Sequence, residues 1–221
     1  MKYRLAAVVC AAVLCGPRPA AAQPSGRITV GGGLAWMGGA GYGSADASEV
    51  TASGGSFRLF STSSDLTTGT GVNVSVGVRL TRLFEVEAQG SYLRPSIETK
   101  ISNDFEGGQG LTATDRLRQF TVEGAVLYTP SRWRAARVSP FGSGSAGYLR
   151  QLHDGDGLAV TGSIFGVGGG ARMPLVTHAA GSLKSFGVRA DLRAVVRTKA
   201  AAVDGRAHTS PAVAVGVFAT F

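Results

Sequence analysis

The chain of 221 residues has only two cysteines, Cys10 and Cys15, both close to its amino terminus. A segment that begins after them can form no disulfide, so its stability must come from a backbone ladder and from packing. Histidine is equally scarce: His153, His178 and His208 are widely separated and show no ligand spacing. No metal is expected from them, and no motif calls for a cofactor. Aromatic residues make up 8% of the chain, and no basic face is interleaved with them, so nucleic-acid binding is not expected. Beyond the first residues there is no apolar run long enough for a transmembrane helix, so a membrane location would have to be reached with strands. At 44% hydrophobic the chain is nonetheless far from disordered.

What is present starts with a leader pattern. Lys2 and Arg4 precede an apolar run from Leu5 to Leu14 that is too short to span a bilayer, and Ala20-Ala21-Ala22 before Gln23 fits small-residue cleavage. Residues 1–22 read as a removed signal peptide and residues 23–221 as one domain. A lipoprotein signal using Cys15 is the rival reading, and Leu14, standing where a small residue belongs, argues against it. Loss of Lys2, Arg4 and Arg18 lowers the formal charge from +8 to +5, a moderately basic protein and not a polycation.

The rest of the chain alternates. Side chains along a strand point to opposite faces with period two. From Phe186 to Arg197, Phe186, Val188, Ala190, Leu192, Ala194 and Val196 share one face, and Arg189, Asp191, Arg193 and Arg197 share the other. Val72, Val74, Val76, Val78 and Leu80 oppose Asn73, Ser75, Gly77 and Arg79. Phe84, Val86, Ala88, Gly90 and Tyr92 oppose Glu85, Glu87, Gln89 and Ser91. Phe120 to Tyr128 repeats the pattern against Gln119, Thr121 and Glu123, and Ile28, Val30, Leu34 and Trp36 oppose Thr29 and Ala35. Two glycine-rich segments, Val138 to Arg150 and Leu158 to Met173, are weaker strands. The closing segment runs Val213, Val215, Val217 and Ala219 to a terminal Phe221.

These segments predict an all-β fold: an eight-stranded antiparallel up-and-down transmembrane β-barrel. Ten strands would result if Phe57 to Phe60 began an extra pair. Links alternate between short and long, and the long ones, Gly38 to Asp65, Pro95 to Asp115 and Lys199 to Ser210, read as outside loops, with one short outside link at Gln151 to Gly157; the segment Gly38 to Thr70, dominated by glycine, serine and threonine, is expected to be mobile. No further domain is expected after Phe221. A soluble barrel would turn its apolar columns inward. Here the charges recur in mid-strand against unbroken apolar columns, and Trp36, Tyr92, Tyr128, Trp133 and Tyr148 fall at strand ends, where an interfacial ring buries its body and wets its tip. The polar columns therefore face a narrow interior. Arg79, Glu85, Glu87, Glu123, Arg189, Asp191 and Arg193 are expected to pair there as a plug, because buried charges demand partners.

The terminal aromatic column, the short link Arg79-Leu80-Thr81-Arg82-Leu83-Phe84 and the stretch Pro140 to Tyr148 resemble the small outer-membrane β-barrel family, within the porin-like superfamily, typified by the transmembrane domain of OmpA and by opacity-type surface proteins. The resemblance implies a bacterial outer membrane, with its lipids and lipopolysaccharide as surroundings. It implies that Val213, Val215, Val217, Ala219 and Phe221 form the signal read by the barrel-assembly machinery. It also implies a structural, adhesive or host-binding role, with a small diffusion channel as the alternative.

Enzymatic readings are thin. Gly142, Gly144 and Gly147 satisfy G-x-G-x-x-G, but a strand and an acidic link follow where a helix should, and close packing of small residues explains them better. His208 and Ser210 lie where an outer-membrane lipid A deacylase places base and nucleophile. A third group must orient such a base, yet no Asp, Glu, Asn or Gln follows Ser210, and Asp204 precedes it in a loop. His153, Asp154 and Asp156 hold the ingredients of an omptin-type site within one short turn, where a solvated turn is the simpler reading. No enzyme is expected.

Overall fold

The computed structural model describes residues 28–50, 54–102, 110–130, 138–154, 158–178, 181–198 and 206–221. The expected leader, Trp133, Asp156 and Asp204 lie outside the described residues. Within them the chain is all β. Eleven strand segments follow in order: β1 Ile28–Met37, β2 Ala40–Val50, β3 Ser56–Leu66, β4 Gly69–Arg79, β5 Phe84–Arg94, β6 Ser96–Ser102, β7 Leu111–Tyr128, β8 Ser139–His153, β9 Ala159–Thr177, β10 Ser185–Thr198 and β11 His208–Thr220.

Eight of these close a barrel. β1 pairs with β4 on one side and β11 on the other, and the ring continues through β5, β7, β8, β9 and β10, every pairing antiparallel. Closure removes free edges, which strands in hydrocarbon require. The apolar columns face outward: Leu34, Val74, Val122 and Leu192 are 61–72% exposed, an arrangement that only a lipid surround makes favourable. Ring pairs lie across neighbouring strands near both ends of this belt, Phe84 with Tyr128 at 5.2 Å and Tyr92 with Phe120 at 4.9 Å.

Sharp coiling of so small a ring depends on glycine where strands nearly touch. Gly33 faces Gly216 across the β1–β11 seam. A Cβ on either would collide with the other strand's backbone. Close packing also explains Gly147, whose Cβ would strike the Val122 carbonyl, but Gly144 meets nothing within 4 Å. The expected common cause for Gly142, Gly144 and Gly147 therefore holds only at Gly147.

The long links at Gly38 to Asp65 and Pro95 to Asp115 differ from expectation. They are not loops for most of their length: β2, β3, β6 and the first half of β7 pair in that order as a sheet continuing the wall beyond the barrel. Gly38-Gly39, Thr67-Thr68 and Pro95 interrupt the strands between wall and extension, while β7 runs through unbroken. Tyr42, Leu66, Ile97 and Leu117 bury themselves on its inner side and hold it together. Its hydroxyls also pair, Ser61 with Asp46 at 2.8 Å and Ser64 with Thr99 at 3.1 Å. Serine and glycine dilute the apolar alternation, which is why these segments read as loops. Phe57 to Phe60 belong to β3, so they lengthen a hairpin and add no pair to the eight-stranded ring.

Candidate functional site

Inward columns of β5, β7, β9 and β10 bring charge together across the lumen. β5 and β10 stand opposite each other in the ring. Starting at the end with the short turns, Arg79 lies 3.9 Å from Glu85, and Arg172 grips Glu85 with both terminal nitrogens, at 2.7 and 3.0 Å. Arg172 also donates to Glu87 at 3.1 Å. Glu87 then accepts from Arg189 at 2.6 Å, and Arg189 forks onto Asp191 at 2.8 and 2.9 Å. Paired two-point contacts of this kind are the strong form of guanidinium–carboxylate bonding. The Phe141 ring lies 5.3 Å from the Arg172 guanidinium and 5.1 Å from that of Arg189.

A second layer sits above it. Arg193 donates to Gln89 at 3.0 Å and to Glu123 at 3.1 Å, and the Ser145 hydroxyl donates to Glu123 at 2.8 Å. Gln89 in turn donates to Glu87 at 2.7 Å, which joins the two layers into one network.

Toward the outer end the lumen changes character. Met37, Leu93, Leu149, Ile164, Val195 and Ala212 pack together as a buried apolar cluster inside the ring. Gln151 donates to Gln119 at 3.0 Å and to the Tyr42 hydroxyl at 3.4 Å, so the two amides, both fully buried, close the space beside it. Arg197 is also fully buried and donates to the Ser210 hydroxyl.

That contact fixes the setting of Ser210. Its hydroxyl accepts from Arg197 and donates to the Gly39 carbonyl at 3.2 Å, while His208 packs its ring on Tyr42 at 5.3 Å. The Ser210 proton is thus directed to a backbone oxygen. His153 is engaged by Asp115 at 2.6 Å and Asp154 by Arg118 at 2.7 Å, so both tie the β8 end to β7. In the closing strand, Val213, Val215, Val217, Ala219 and Phe221 share the outward face, and Ala212, Ala214, Phe218 and Thr220 are buried inward.

The model of the outer membrane protein beta-barrel domain family matches residues 6–210 of this chain. The chain belongs to that family. Among solved structures, the outer membrane protein OprG from Pseudomonas aeruginosa is similar at 12% identity and TM-score 0.51, covering 89% of this chain and 96% of its own. Ail, the attachment invasion locus protein of Yersinia pestis, is similar at 12% identity and TM-score 0.45, covering 89% of this chain and 99% of its own. The likeness to OprG is one of fold. No curated protein matches the chain.

In this outer-membrane barrel all seven charged residues expected in the interior have inward positions and share the network. Sequence reasoning missed Arg172, the cation that bridges Glu85 and Glu87, because that residue ends the glycine-rich inward column Gly166, Gly168 and Gly170 of β9. It also missed the apolar layer. A signal was present: Leu93 and Val195 occupy inward positions by parity, two residues beyond Ser91 and Arg193.

Proposed function

We propose that the protein is a closed, non-enzymatic barrel whose work is to hold its outer β-extension rigidly beyond the membrane as a surface for interaction. One observation carries this reading: the apolar layer of Met37, Leu93, Leu149, Ile164, Val195 and Ala212 fills the lumen at the level where a water path would have to leave it. An apolar constriction of this kind offers ions no replacement for their hydration shell. The polar network below pairs Arg172, Arg189 and Arg193 with Glu85, Glu87, Glu123 and Asp191 across the lumen.

Lipopolysaccharide is the proposed surround at the outer rim. Arg94, Arg116, Arg118 and Arg150 stand exposed on the outward face of β5, β7 and β8, beside the Tyr92–Phe120 pair. Asp154 answers Arg118 at 2.7 Å, but the like charges on adjacent strands outnumber it and disfavour one another, and lipid phosphates at headgroup level relieve that repulsion. The opposite wall, at Ala194, Val196, Thr209 and Pro211, carries no charge there.

The test is single-channel recording of the purified barrel in a planar bilayer, after folding is established by its altered gel mobility when unboiled. A silent folded barrel is the expected outcome, and discrete reproducible steps would replace this reading with a diffusion channel. For the non-enzymatic part, cells carrying Ser210→Ala should show the same lipid A as wild type. A lipid A change tied to that serine would overturn it.

A further inference from the structure

At the short-turn mouth, the periplasmic end in this family's arrangement, the lumen widens below the ion-pair chain into a vestibule of about 590 Å3. Its wall includes Arg79, Arg172, His178 and Lys184, with hydroxyls from Ser185 and Thr220, and among the described residues no carboxylate lines it. The acids behind the wall are Glu85, which already accepts two bonds from Arg172 and lies 3.9 Å from Arg79, and Glu87, which accepts one from Arg172 and is shared with Arg189. Positive charge at this mouth therefore exceeds the negative charge that answers it.

Two details describe how the wall is built. The Arg172 side chain is only 9% exposed, and its Nε, itself buried, has no hydrogen-bond partner among the described residues. Buried donors are ordinarily satisfied. The rim is also held in place: the His178 amide donates to the Lys184 carbonyl at 2.9 Å, and the Lys184 amide donates to the Thr220 carbonyl at 2.7 Å. These bonds fix the backbone on which His178 and Lys184 present their side chains.

We propose that this vestibule binds a phosphate-bearing anion. Guanidinium and ammonium donors converging with hydroxyls match phosphate oxygens, and phosphate supplies more than one negative charge to a wall with several cations. The cavity is larger than one phosphate needs and lies in the range of small-ligand sites. The shared chemistry admits two sources, a soluble phosphorylated molecule or an inner-leaflet lipid headgroup.

The experiment uses the full folded barrel. Inorganic pyrophosphate is titrated calorimetrically into protein in zwitterionic micelles, and phospholipid retention is read by native mass spectrometry after release from phosphatidylglycerol or phosphatidylcholine nanodiscs. The variant is His178→Ala with Lys184→Ala, two exposed residues outside the ion-pair chain, with Lys100→Ala in the outer extension as control. Pyrophosphate binding weakened about tenfold or more by the double variant and unchanged by the control establishes the site with a soluble anion. Phosphatidylglycerol retention in place of pyrophosphate binding, lost in the double variant and absent with phosphatidylcholine, establishes it with a lipid headgroup. Binding of neither, or binding that the double variant leaves intact, overturns the proposal.

Discussion

The lower and upper halves of the lumen are enclosed by the same eight strands and filled by opposite chemistry. Below, four arginines and four carboxylates, counting Arg172 with Arg79, Arg189 and Arg193 against Glu85, Glu87, Glu123 and Asp191, form a connected network. Above, six apolar side chains pack together, and the buried Arg197 at that end is met by the Ser210 hydroxyl. The difference teaches how a small barrel divides its labour. The fork-to-fork pair of Arg172 with Glu85 and the bond from Arg189 to Glu87, which join β5 to β9 and β10 across the lumen, tolerate only one register, since a shift of two residues would leave a buried charge unmatched. Apolar packing is less selective about partners, but it excludes water.

The lower half should therefore be the more fragile to loss of a single partner. Glu87 is almost fully buried and accepts from Arg172, Arg189 and Gln89. Glu87→Ala leaves Arg172 on Glu85 and Arg189 on Asp191 but removes one carboxylate from a buried network of four arginines, so one positive charge there is unmatched, and breaking a buried pair from one side costs about 3–5 kcal/mol. A urea titration followed by unboiled gel mobility reads this directly. A loss below about 1 kcal/mol would mean that water relieves the network, and the contrast between the halves would collapse.

In the upper half the expected loss comes from a cavity. Leu149 is fully buried in the apolar layer, and Leu149→Ala should cost about 2–5 kcal/mol depending on how far the layer collapses. Leu149→Met, which conserves volume, should cost less than about 1.5 kcal/mol. The lower network admits no equally mild exchange at Glu87. If Leu149→Met proved as damaging as Leu149→Ala, the upper half would be as selective as the lower.

A substitution on the other side of the wall separates packing from assembly. Phe221 is 45% exposed and ends the outward column of β11, whose inward partner at this end is Phe218 beneath Arg172. Phe221→Asp leaves both lumen halves untouched. Near an interface such a charge costs only about 0–1 kcal/mol, so the stability of refolded protein should hardly change while the yield of assembled barrel in cells falls. Normal yield in cells would remove the assembly role from this column.

The outward wall was legible because lipid demands an unbroken period-two column, and Val72 to Val78 or Phe186 to Val196 leaves little else to infer. The interior was legible in part, because a charge at inward parity has few other destinations. Arg172 escaped notice since the glycines that let β9 approach its neighbours also erase the alternation that would mark it as inward-facing. The apolar layer escaped for a related reason: Leu93, Leu149 and Val195 are apolar residues on the polar face, and single exceptions to an alternation read as noise until the ring places them at one level. The outer extension was hidden by serine and glycine, whose pairing is carried by backbone ladders and a small buried cluster and not by a conspicuous apolar column.

The extension supplies the smallest effect and the scale for the others. Arg58 and Asp46 pair at 3.0 Å, the same chemistry as in the lumen, but their side chains are 56% and 48% exposed. In water the two charges are screened and the side chains give up entropy to meet, so Arg58→Ala should cost about 0–1 kcal/mol. Added salt should reduce even that, most clearly toward 1 M, where the Debye length falls to about 3 Å, comparable to the separation of the pair. The Glu87→Ala penalty should persist in the same salt series, because its partners are shielded from solvent by the wall. Parallel salt titrations of the two variants thus separate what an ion pair contributes by being a pair from what it contributes by being buried. If both penalties fell together, the lumen would be as wet as the surface.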